Sequence, residues 1–455
     1  MRRGKNNLYN ISDPQWSSFL NLLDYVLKNS RFYKKKYGLY GIGSTKDINN
    51  KDKYFHLPLT DRNELSKNQN IFPPYGNNAC LDTNKYLILR SSSGTTAKPF
   101  LMPISKRDFL NTSNIGVKAF RQLGIRRGDK VLDLHPPGSH LNVFQALVNL
   151  KATDIPWQMQ TPFQIIHMIK ATKATILITS TSMMLHIIDI AEKEKVDLKN
   201  HKLRFLVIGS EIVSPHAKNR IEKAFGVPCK SFYASLEFNI TAYSCSYRKS
   251  PMLYHHISSS SIFEVIDPKT HRNTYMGELV LTNLNRFDYP LIRYRTGDMV
   301  KVIPNNCTHH KFDYSFEVLG RIDKKIRFLA RYIDPQDIQL HLQSHNEIRD
   351  FRIELKKDFI SEYMLIKLSI NNPLQYKKIA KKIREGFFEK WGFIPAIEVL
   401  PSFIFQFTPW KAKRFVDLRS DDHVKHNINT FQTITSRLAL SLYYRIIRRY
   451  TEEKK

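Results

Sequence analysis

The stretch from Ala174 to Tyr233 begins with the apolar run Ala174-Thr-Ile-Leu-Ile-Thr179. A helical segment at 182 to 194 follows, and then a second apolar run, Leu203-Arg-Phe-Leu-Val-Ile208. A second helical segment at 215 to 225 leads into a strand-like run from Cys229 to Tyr233. Short apolar runs that alternate with helical segments are typical of parallel strands connected by helices. The stretch therefore predicts an α/β domain with parallel strand pairing.

The alternation extends in both directions from this stretch. Lys130-Val-Leu-Asp-Leu134 is strand-like, and residues 15 to 38 have a helical pattern. Beyond about residue 250 strand patterns dominate, and a new α/β pattern begins near Gly320. We therefore predict a large N-terminal domain of layered sheets and helices, a small α/β domain and a basic amphipathic tail, with boundaries 1–320, 321–420 and 421–455.

The composition excludes several classes of protein. The chain has 455 residues, 42% of them hydrophobic and 12% aromatic, which is more than a disordered chain carries. Its four cysteines are too widely spaced for a disulfide framework, and no apolar run approaches the ~18 residues of a transmembrane helix. Because no secretory signal is visible either, we expect a globular protein of the cytoplasm.

The charge is strongly positive, with 71 Lys and Arg against 41 Asp and Glu and a net charge of +30. Such a surface favours polyanions, including nucleotides and CoA-like ligands. The basic residues are spread along the chain, so we expect no specific nucleic-acid partner. The tail over 421–455 is expected to pack on its own domain, and peripheral membrane contact is an alternative that we do not favour.

One loop has the chemistry of a phosphate site and reads Ser91-Ser-Ser-Gly-Thr-Thr-Ala-Lys-Pro-Phe100. Gly94 lets the backbone approach a ligand, the hydroxyl and N–H groups donate hydrogen bonds, and Lys98 supplies charge. The spacing of a Walker A motif is absent. An ordinary Ser/Thr-rich turn is the alternative explanation of this string.

Two further strings combine an aromatic residue with carboxylates. In Phe232-Tyr-Ala-Ser-Leu-Glu237, the tyrosine could stack on a purine and the glutamate could hold Mg²⁺. In Tyr294-Arg-Thr-Gly-Asp298, the aspartate could accept hydrogen bonds from ribose hydroxyls. The alternatives are a core tyrosine, a surface glutamate and a tight Thr-Gly-Asp turn.

Two basic strings complete the series: Gly320-Arg-Ile-Asp-Lys324 at the predicted boundary and Trp410-Lys-Ala-Lys-Arg414 near the C-terminus. Each of the five strings is weak or moderate evidence by itself. In their order and spacing, the chain from about Asn29 to Asp417 resembles the adenylate-forming superfamily, and specifically its phenylacetate–CoA ligase-like branch. It also resembles coenzyme F390 synthetase and capsule-biosynthesis proteins of the CapK type.

The resemblance implies a nucleotide site for ATP and Mg²⁺. The family's phosphate loop matches Ser92, Ser93, Gly94, Thr95, Thr96 and Lys98. Tyr233 matches the family's adenine-stacking residue. Glu237 matches its Mg²⁺-associated carboxylate, and Asp298 matches its ribose-binding aspartate. A wall of the adenine and acyl pocket matches Gly209, Ser210 and Glu211, and the arginine near the ribose and phosphate matches Arg321.

The resemblance also implies a mobile small domain. Asp323 matches the hinge between the domains, and Lys411 matches the catalytic lysine that contacts the carboxylate and the α-phosphate, although Lys413 is close enough to be an alternative. Carboxylate attack on the α-phosphate joins two anions, so Mg²⁺ and Lys411 would offset their repulsion. The implied activity is ATP-dependent formation of an acyl-adenylate from a carboxylic acid, with release of pyrophosphate.

Four residues depart from the family pattern. Ala97, Ala234 and Trp410 stand where glycines are usual, in the phosphate loop, after the stacking tyrosine and before the catalytic lysine. Ala330 stands where a glycine usually helps to form the pantetheine tunnel. The acyl acceptor is therefore left open among CoA, a carrier protein, an amine and a hydroxyl group. A non-catalytic binding or scaffold descendant of the fold is the alternative function.

Some members of this branch carry a structural zinc ion. The matching positions are held by Cys245, His256, Cys307 and His309, with His255 and His310 as alternatives to their neighbours. Two cysteines and two histidines suit tetrahedral Zn²⁺. Unconnected buried cysteines and surface histidines are the other explanation, since spacing does not establish the geometry of a site.

Overall fold

The computed structural model of the chain describes residues 8–91, 99–135, 137–156, 161–209, 211, 213–244, 253–303, 314–322, 326–329, 331–357, 362–400 and 414–419. The chain forms two compact units, Met1–Asp323 and Lys324–Lys455, each with most of its contacts within itself. No helix in these described ranges is both long and apolar enough to cross a membrane.

The helices of the first unit other than α6 begin at side chains that cap them. Ser105, for example, accepts a hydrogen bond from the Asp108 backbone, which satisfies one of the free N–H groups of a first turn. The helices are α1 (Asp13–Asn29), α2 (Arg31–Gly38), α3 (Lys51–Tyr54), α4 (Arg62–Ile71), α5 (Lys106–Leu123), α6 (Pro137–Asn149), α7 (Pro162–Thr172), α8 (Thr181–Lys193) and α9 (Pro215–Phe225).

The strands of the first unit form a hairpin and one large sheet. They are β1 (Tyr86–Ser91), β2 (Leu101–Ser105), β3 (Lys130–Asp133), β4 (Thr153–Pro156), β5 (Ile176–Thr179), β6 (Phe205–Ile208), β7 (Cys229–Ser235), β8 (Asn239–Ser244), β9 (Leu253–His256), β10 (Ser261–Ile266), β11 (Met276–Asn283), β12 (Tyr294–Ile303) and β13 (Ser315–Arg321). The hairpin pairs β1 with β2, and the sheet has the order β10-β11-β12-β13-β9-β8-β7-β6-β5-β3-β4.

The predicted parallel pairing is confirmed from β4 to β7. Every residue of β5 and β6 is buried, as expected for strands covered on both faces. One predicted element was wrong: the helical pattern over 15–38 is two helices, because Ser30 ends α1 and also caps α2 by accepting from the Tyr33 backbone.

The large sheet changes direction at β7, which is parallel to β6 and antiparallel to β8. Strands β7 and β12 are four places apart in the strand order, which corresponds to about 19 Å in a flat sheet. A side chain of β7 nevertheless forms a hydrogen bond with one of β12, between Tyr233 and Asp298. The antiparallel part must therefore curl so that these two strands face each other.

The second unit is a small α/β body. Its elements are β14 (Ile326–Phe328), β15 (Arg331–Ile333), α10 (Pro335–Gln343), β16 (Ile348–Lys357), β17 (Glu362–Ile370), α11 (Tyr376–Trp391), β18 (Ala396–Val399) and β19 (Phe415–Asp417). The first two strands form a hairpin, and the other four form a sheet of order β18-β17-β16-β19. An apolar core including Ile353, Ile366, Ile383 and Phe387 holds the unit together.

Candidate active site

Three predicted site residues meet where the sheet curls. Tyr233 on β7 donates its hydroxyl hydrogen to Asp298 Oδ2 on β12 at 2.5 Å, and Arg321 Nη1 on β13 lies 3.1 Å from Asp298 Oδ1. Asp298 and Arg321 are register partners, so strand pairing itself places them together. Burial, reinforced by the charge of Asp298, raises the pKa of Tyr233 well above its usual value, so its hydroxyl remains a donor.

The ring of Tyr233 is held by neighbouring aromatic residues. Phe316 packs against it edge to face with ring centroids 5.6 Å apart, and Tyr254 lies at 6.1 Å. Tyr233 is half-buried, whereas Asp298 is 9% exposed. A positioned aromatic ring beside a carboxylate has the chemistry to stack on a base and to accept hydrogen bonds from sugar hydroxyls.

The Thr-Gly-Asp string does not form a turn between elements, because it lies inside β12. Gly297 has a φ of 77° there, which a glycine adopts readily. Its N–H donates to Glu278 Oε1 at 3.1 Å, and the register of β12 on β13 shifts just beyond it. The irregularity in the strand sets the position of Asp298.

Glu237 lies in the turn between β7 and β8 and is 8% exposed. Its Oε1 accepts a hydrogen bond from the Tyr294 hydroxyl at 3.2 Å and lies 3.7 Å from Arg62 Nη1. Burial, and then the charge of Glu237, raises the pKa of Tyr294 well above its usual value. Strand β12 therefore contains one predicted carboxylate, Asp298, and contacts the other, Glu237, through Tyr294.

Gly209 and Glu211 follow β6, at the carboxyl edge of the parallel strands. A Cβ atom at Gly209 would lie 2.7 Å from the Phe232 ring and 2.9 Å from His135 Nε2, so only glycine fits. Glu211 accepts hydrogen bonds from the backbone and the hydroxyl of Ser182, at 2.8 and 3.1 Å. This carboxylate therefore binds the first turn of α8, and Gly209 adjoins β7 next to Tyr233.

Many of the predicted residues lie outside the described ranges. They are the loop residues Ser92, Ser93, Gly94, Thr95, Thr96 and Lys98, the pocket residue Ser210, the hinge residue Asp323 and the catalytic lysine Lys411 with its alternative Lys413. Ala97, Ala330, Trp410 and the tail over 421–455 lie outside them as well. The assignments of these residues stay predictions.

Only one of the four predicted zinc ligands, His256, belongs to the described part of the chain, together with its alternative His255. His256 is 1% exposed, and its Nε2 lies 2.8 Å from the Ser261 hydroxyl. Its Nδ1 has no hydrogen-bond partner among the described residues. Burial lowers its pKa to about 3, so the ring is neutral at physiological pH, the form that binds metals. Within the described ranges, no group of three or more His, Cys, Asp or Glu could hold a metal ion.

The structure also adds residues that sequence reasoning did not assign. Arg62 and Tyr294 contact Glu237, and of these two only Tyr294 belongs to one of the five motif strings. Asp133, the last residue of β3, and His135, just beyond it, are both buried and form a pair with 2.7 Å between Asp133 Oδ1 and His135 Nδ1. Their place at the carboxyl edge of a parallel strand is the signal that could have identified them.

The chain is similar to curated phenylacetate–CoA ligases. It is 26% identical over 292 residues to the Pseudomonas putida enzyme, a match that covers 62% of this chain and 64% of that enzyme, less than two thirds of its length. It is 23% identical over 413 residues to the Aromatoleum evansii enzyme, covering 87% of this chain and 91% of that enzyme. No protein-family model matches the chain.

Among solved structures, a 2-hydroxyisobutyryl-CoA ligase in its postadenylation state superposes with a TM-score of 0.78 at 18% identity, covering 93% of each chain. This likeness concerns the fold, and it confirms the predicted α/β class with its two-domain layout. The curated relatives carry the name of the branch that the order of the motifs indicated. This chain, whose curled sheet brings Tyr233, Asp298 and Arg321 together, is therefore similar in sequence to phenylacetate–CoA ligases and shares its fold with a 2-hydroxyisobutyryl-CoA ligase.

Proposed function

We propose that this protein activates a carboxylic acid with ATP to form an acyl-adenylate, releases pyrophosphate, and transfers the acyl group to CoA. The observation that carries this proposal is the hydrogen-bonded group of Tyr233, Asp298 and Arg321 near the buried carboxylate of Glu237. Its chemistry fits the nucleoside of ATP. The names of the curated relatives support the use of an acid and CoA.

The described residues fit distinct parts of the nucleotide. The ring of Tyr233 would stack on adenine, and Asp298 would accept the ribose hydroxyls while Tyr233 and Arg321 hold it in place. Glu237 would hold Mg²⁺, which neutralises phosphate charge when bound. An acidic side chain that is 8% exposed and has a hydroxyl and a guanidinium beside it is restrained in position, as a cation ligand needs to be.

The phosphates and the reacting carboxylate would meet residues of the loop and the small domain. We propose that Ser92–Lys98 binds the β- and γ-phosphates and that Lys411 contacts the carboxylate and the α-phosphate. Asp323 would be the hinge of a mobile small domain over 321–420, which follows an adenylating domain over 1–320. Such a domain rearrangement would bring Lys411 to the site for one half-reaction and remove it for the next.

The acceptor is the second part of the proposal. The names of the curated relatives favour CoA, whereas Ala330, in place of the usual glycine, favours a carrier protein, an amine or a hydroxyl group. A non-catalytic scaffold is the alternative of a different class. The contact of Asp298 with Arg321, and of the buried Glu237 with Tyr294 of the same strand as Asp298, argues against it, because a scaffold has no need of buried carboxylates.

The experiment is ATP–pyrophosphate exchange against a panel of aryl, aliphatic and amino acids, with Lys411→Ala as the inactive control. Exchange with one class of acid, abolished by Lys411→Ala, is the expected result. Exchange without consumption of CoA would place the acyl group on another acceptor. Absence of exchange with every acid, in a protein that still binds AMP, would favour the scaffold.

We also propose a structural zinc ion held by Cys245, His256, Cys307 and His309. The neutral buried imidazole of His256, with its unpaired Nδ1 among the described residues, supports this assignment. About one zinc ion per folded chain is expected after chelator-free purification, and a protein without zinc would exclude the site.

Cys80 and Cys229 are free thiols in the described part of the chain, which supports a reducing compartment such as the cytoplasm.

A further inference from the structure

Two buried arginines lie next to the turn that carries Glu237. Arg90, near the end of β1, is 7% exposed, and Arg286 is fully buried. Arg90 Nη1 donates to Asn239 Oδ1 at 2.6 Å, and Arg286 Nη1 donates to the Glu237 carbonyl at 2.8 Å. Two guanidinium groups therefore contact the same short segment of chain, Arg286 at the Glu237 carbonyl and Arg90 at the Asn239 side chain.

Several donors of this cluster are unused. Within the described part of the chain, the buried atoms Arg90 Nε and Nη2, Arg286 Nε and Asn239 Nδ2 have no hydrogen-bond partner. Buried donors without a partner are costly, and a buried charge without a partner more so. All four of these atoms are nitrogen donors, so the group that would satisfy them must be an acceptor.

The electrostatics also favour an anion. Burial, together with the positive charge of Arg286, lowers the pKa of Arg90 to about 10, so it stays charged at neutral pH. No carboxylate in the described ranges contributes to that shift. Arg286 is partly balanced, because Asp108 and Glu237 act on its pKa in the opposite direction to burial. The unbalanced charge of the cluster is therefore that of Arg90.

We propose that Arg90 and Arg286, with the amide of Asn239, form a buried subsite for the pyrophosphate end of ATP and for the pyrophosphate product. The identity of the anion rests on the proposed function, because Asn239 follows Glu237 by two residues and Arg90 precedes the proposed phosphate loop by two residues. A diphosphate offers several acceptor oxygens to the unused donors of two guanidinium groups and one amide. The acyl carboxylate offers fewer acceptors.

The test uses the full-length chain and isothermal titration calorimetry with magnesium pyrophosphate, inorganic phosphate and AMP as separate probes. Arg90→Met removes the charge, and Asn239→Asp places a carboxylate against Arg90 that would occupy its donors. Arg121→Met, on the exposed surface of α5, is the control for the loss of one positive charge. Ligand-free melting temperatures are measured for every variant.

We expect both site variants to weaken pyrophosphate binding at least about tenfold, the size of one lost charge-assisted hydrogen bond. AMP affinity should change less than twofold, and Arg121→Met should bind both ligands as the wild type does. The melting temperature without ligand should stay the same or rise, because each variant relieves a buried charge that lacks a partner. Binding of inorganic phosphate alone, equal to that of pyrophosphate, would reassign the subsite to free phosphate.

The proposal is overturned if both variants bind pyrophosphate within twofold of the wild type. It is equally overturned if AMP affinity falls as much as pyrophosphate affinity, or if the wild type binds neither pyrophosphate nor phosphate. Should Arg90→Met fail to fold, Asn239→Asp keeps the arginine and decides the question. Pyrophosphate binding that depends on Arg90, in a protein without any exchange activity, would refute adenylation and support the subsite. Exchange activity that is unaffected by Arg90→Met would support adenylation and refute the subsite.

Discussion

Tyr233 has two separable functions in the proposed site, and two substitutions can distinguish them. Tyr233→Phe removes only the hydroxyl that donates to Asp298, and leaves the bond from Arg321 to the same carboxylate. Tyr233→Leu removes the aromatic ring as well. The first variant therefore tests a hydrogen bond that holds the proposed ribose-binding carboxylate, and the second tests the proposed stacking on adenine.

The magnitudes follow from the surroundings of each group. A hydrogen bond to a buried charged acceptor contributes about 1.5–3 kcal/mol, so Tyr233→Phe should lower the free energy of unfolding by about that amount. AMP affinity should fall by less than about fivefold, since the ring remains. Loss of base–aromatic stacking costs about 1–3 kcal/mol, so Tyr233→Leu should weaken AMP binding by about 5- to 150-fold.

Calorimetric titration with AMP and urea unfolding measure the two effects independently. Tyr363→Phe, on the surface of β17, is the matched control and should change neither quantity. If Tyr233→Leu bound AMP as tightly as the wild type, Tyr233 would not be the stacking residue. If Tyr233→Phe left the free energy of unfolding unchanged, the hydrogen bond to Asp298 would not stabilise the fold. Tyr233 would then not be the residue that holds this carboxylate in place.

Three further predictions concern neighbouring features. Glu237→Gln should lower the rate of ATP–pyrophosphate exchange by about a hundredfold or more, because a neutral amide holds Mg²⁺ poorly, and a rate within threefold would contradict this role. Gly209→Ala should destabilise the fold by about 1–3 kcal/mol in urea unfolding, since its Cβ would lie 2.7 Å from the Phe232 ring; unchanged stability would mean that the packing relaxes freely. Burial raises the pKa of Asp108 to about 6, so the folded state binds the extra proton and stability is lost as pH rises from about 4 to 6. Compared with Asp108→Asn, the wild type should therefore lose about 3 kcal/mol across that range, and parallel pH profiles would refute the assignment.

Much of the fold followed from local pattern. The helix expected at 182–194 is Thr181–Lys193, and the strand expected at 349–356 is Ile348–Lys357. Both have a clear periodicity over enough residues to identify the element type. The break at Ser30 was missed because the apolar spacing continues across it, and only the cap geometry shows that two helices meet there.

Local amino-acid patterns predicted the kinds of elements, their order and the residue types that could bind a nucleotide. These properties depend on neighbours within a few residues, and local chain geometry dictates them. The motif order also sufficed to indicate the superfamily. The assignments to Tyr233, Glu237 and Asp298 came from that resemblance, while the composition and charge left the ligand open.

Which of those side chains contact one another depends on the three-dimensional fold. Tyr233 and Asp298 are 65 residues apart and four strands apart in the sheet, and only the curl of that sheet brings them into contact. The same holds for Arg90 and Arg286, which no local pattern connects. Contacts between distant residues depend on how strands pair and bend. The free energy that stabilises each pairing comes from packing throughout the core, so no single segment of sequence predicts it.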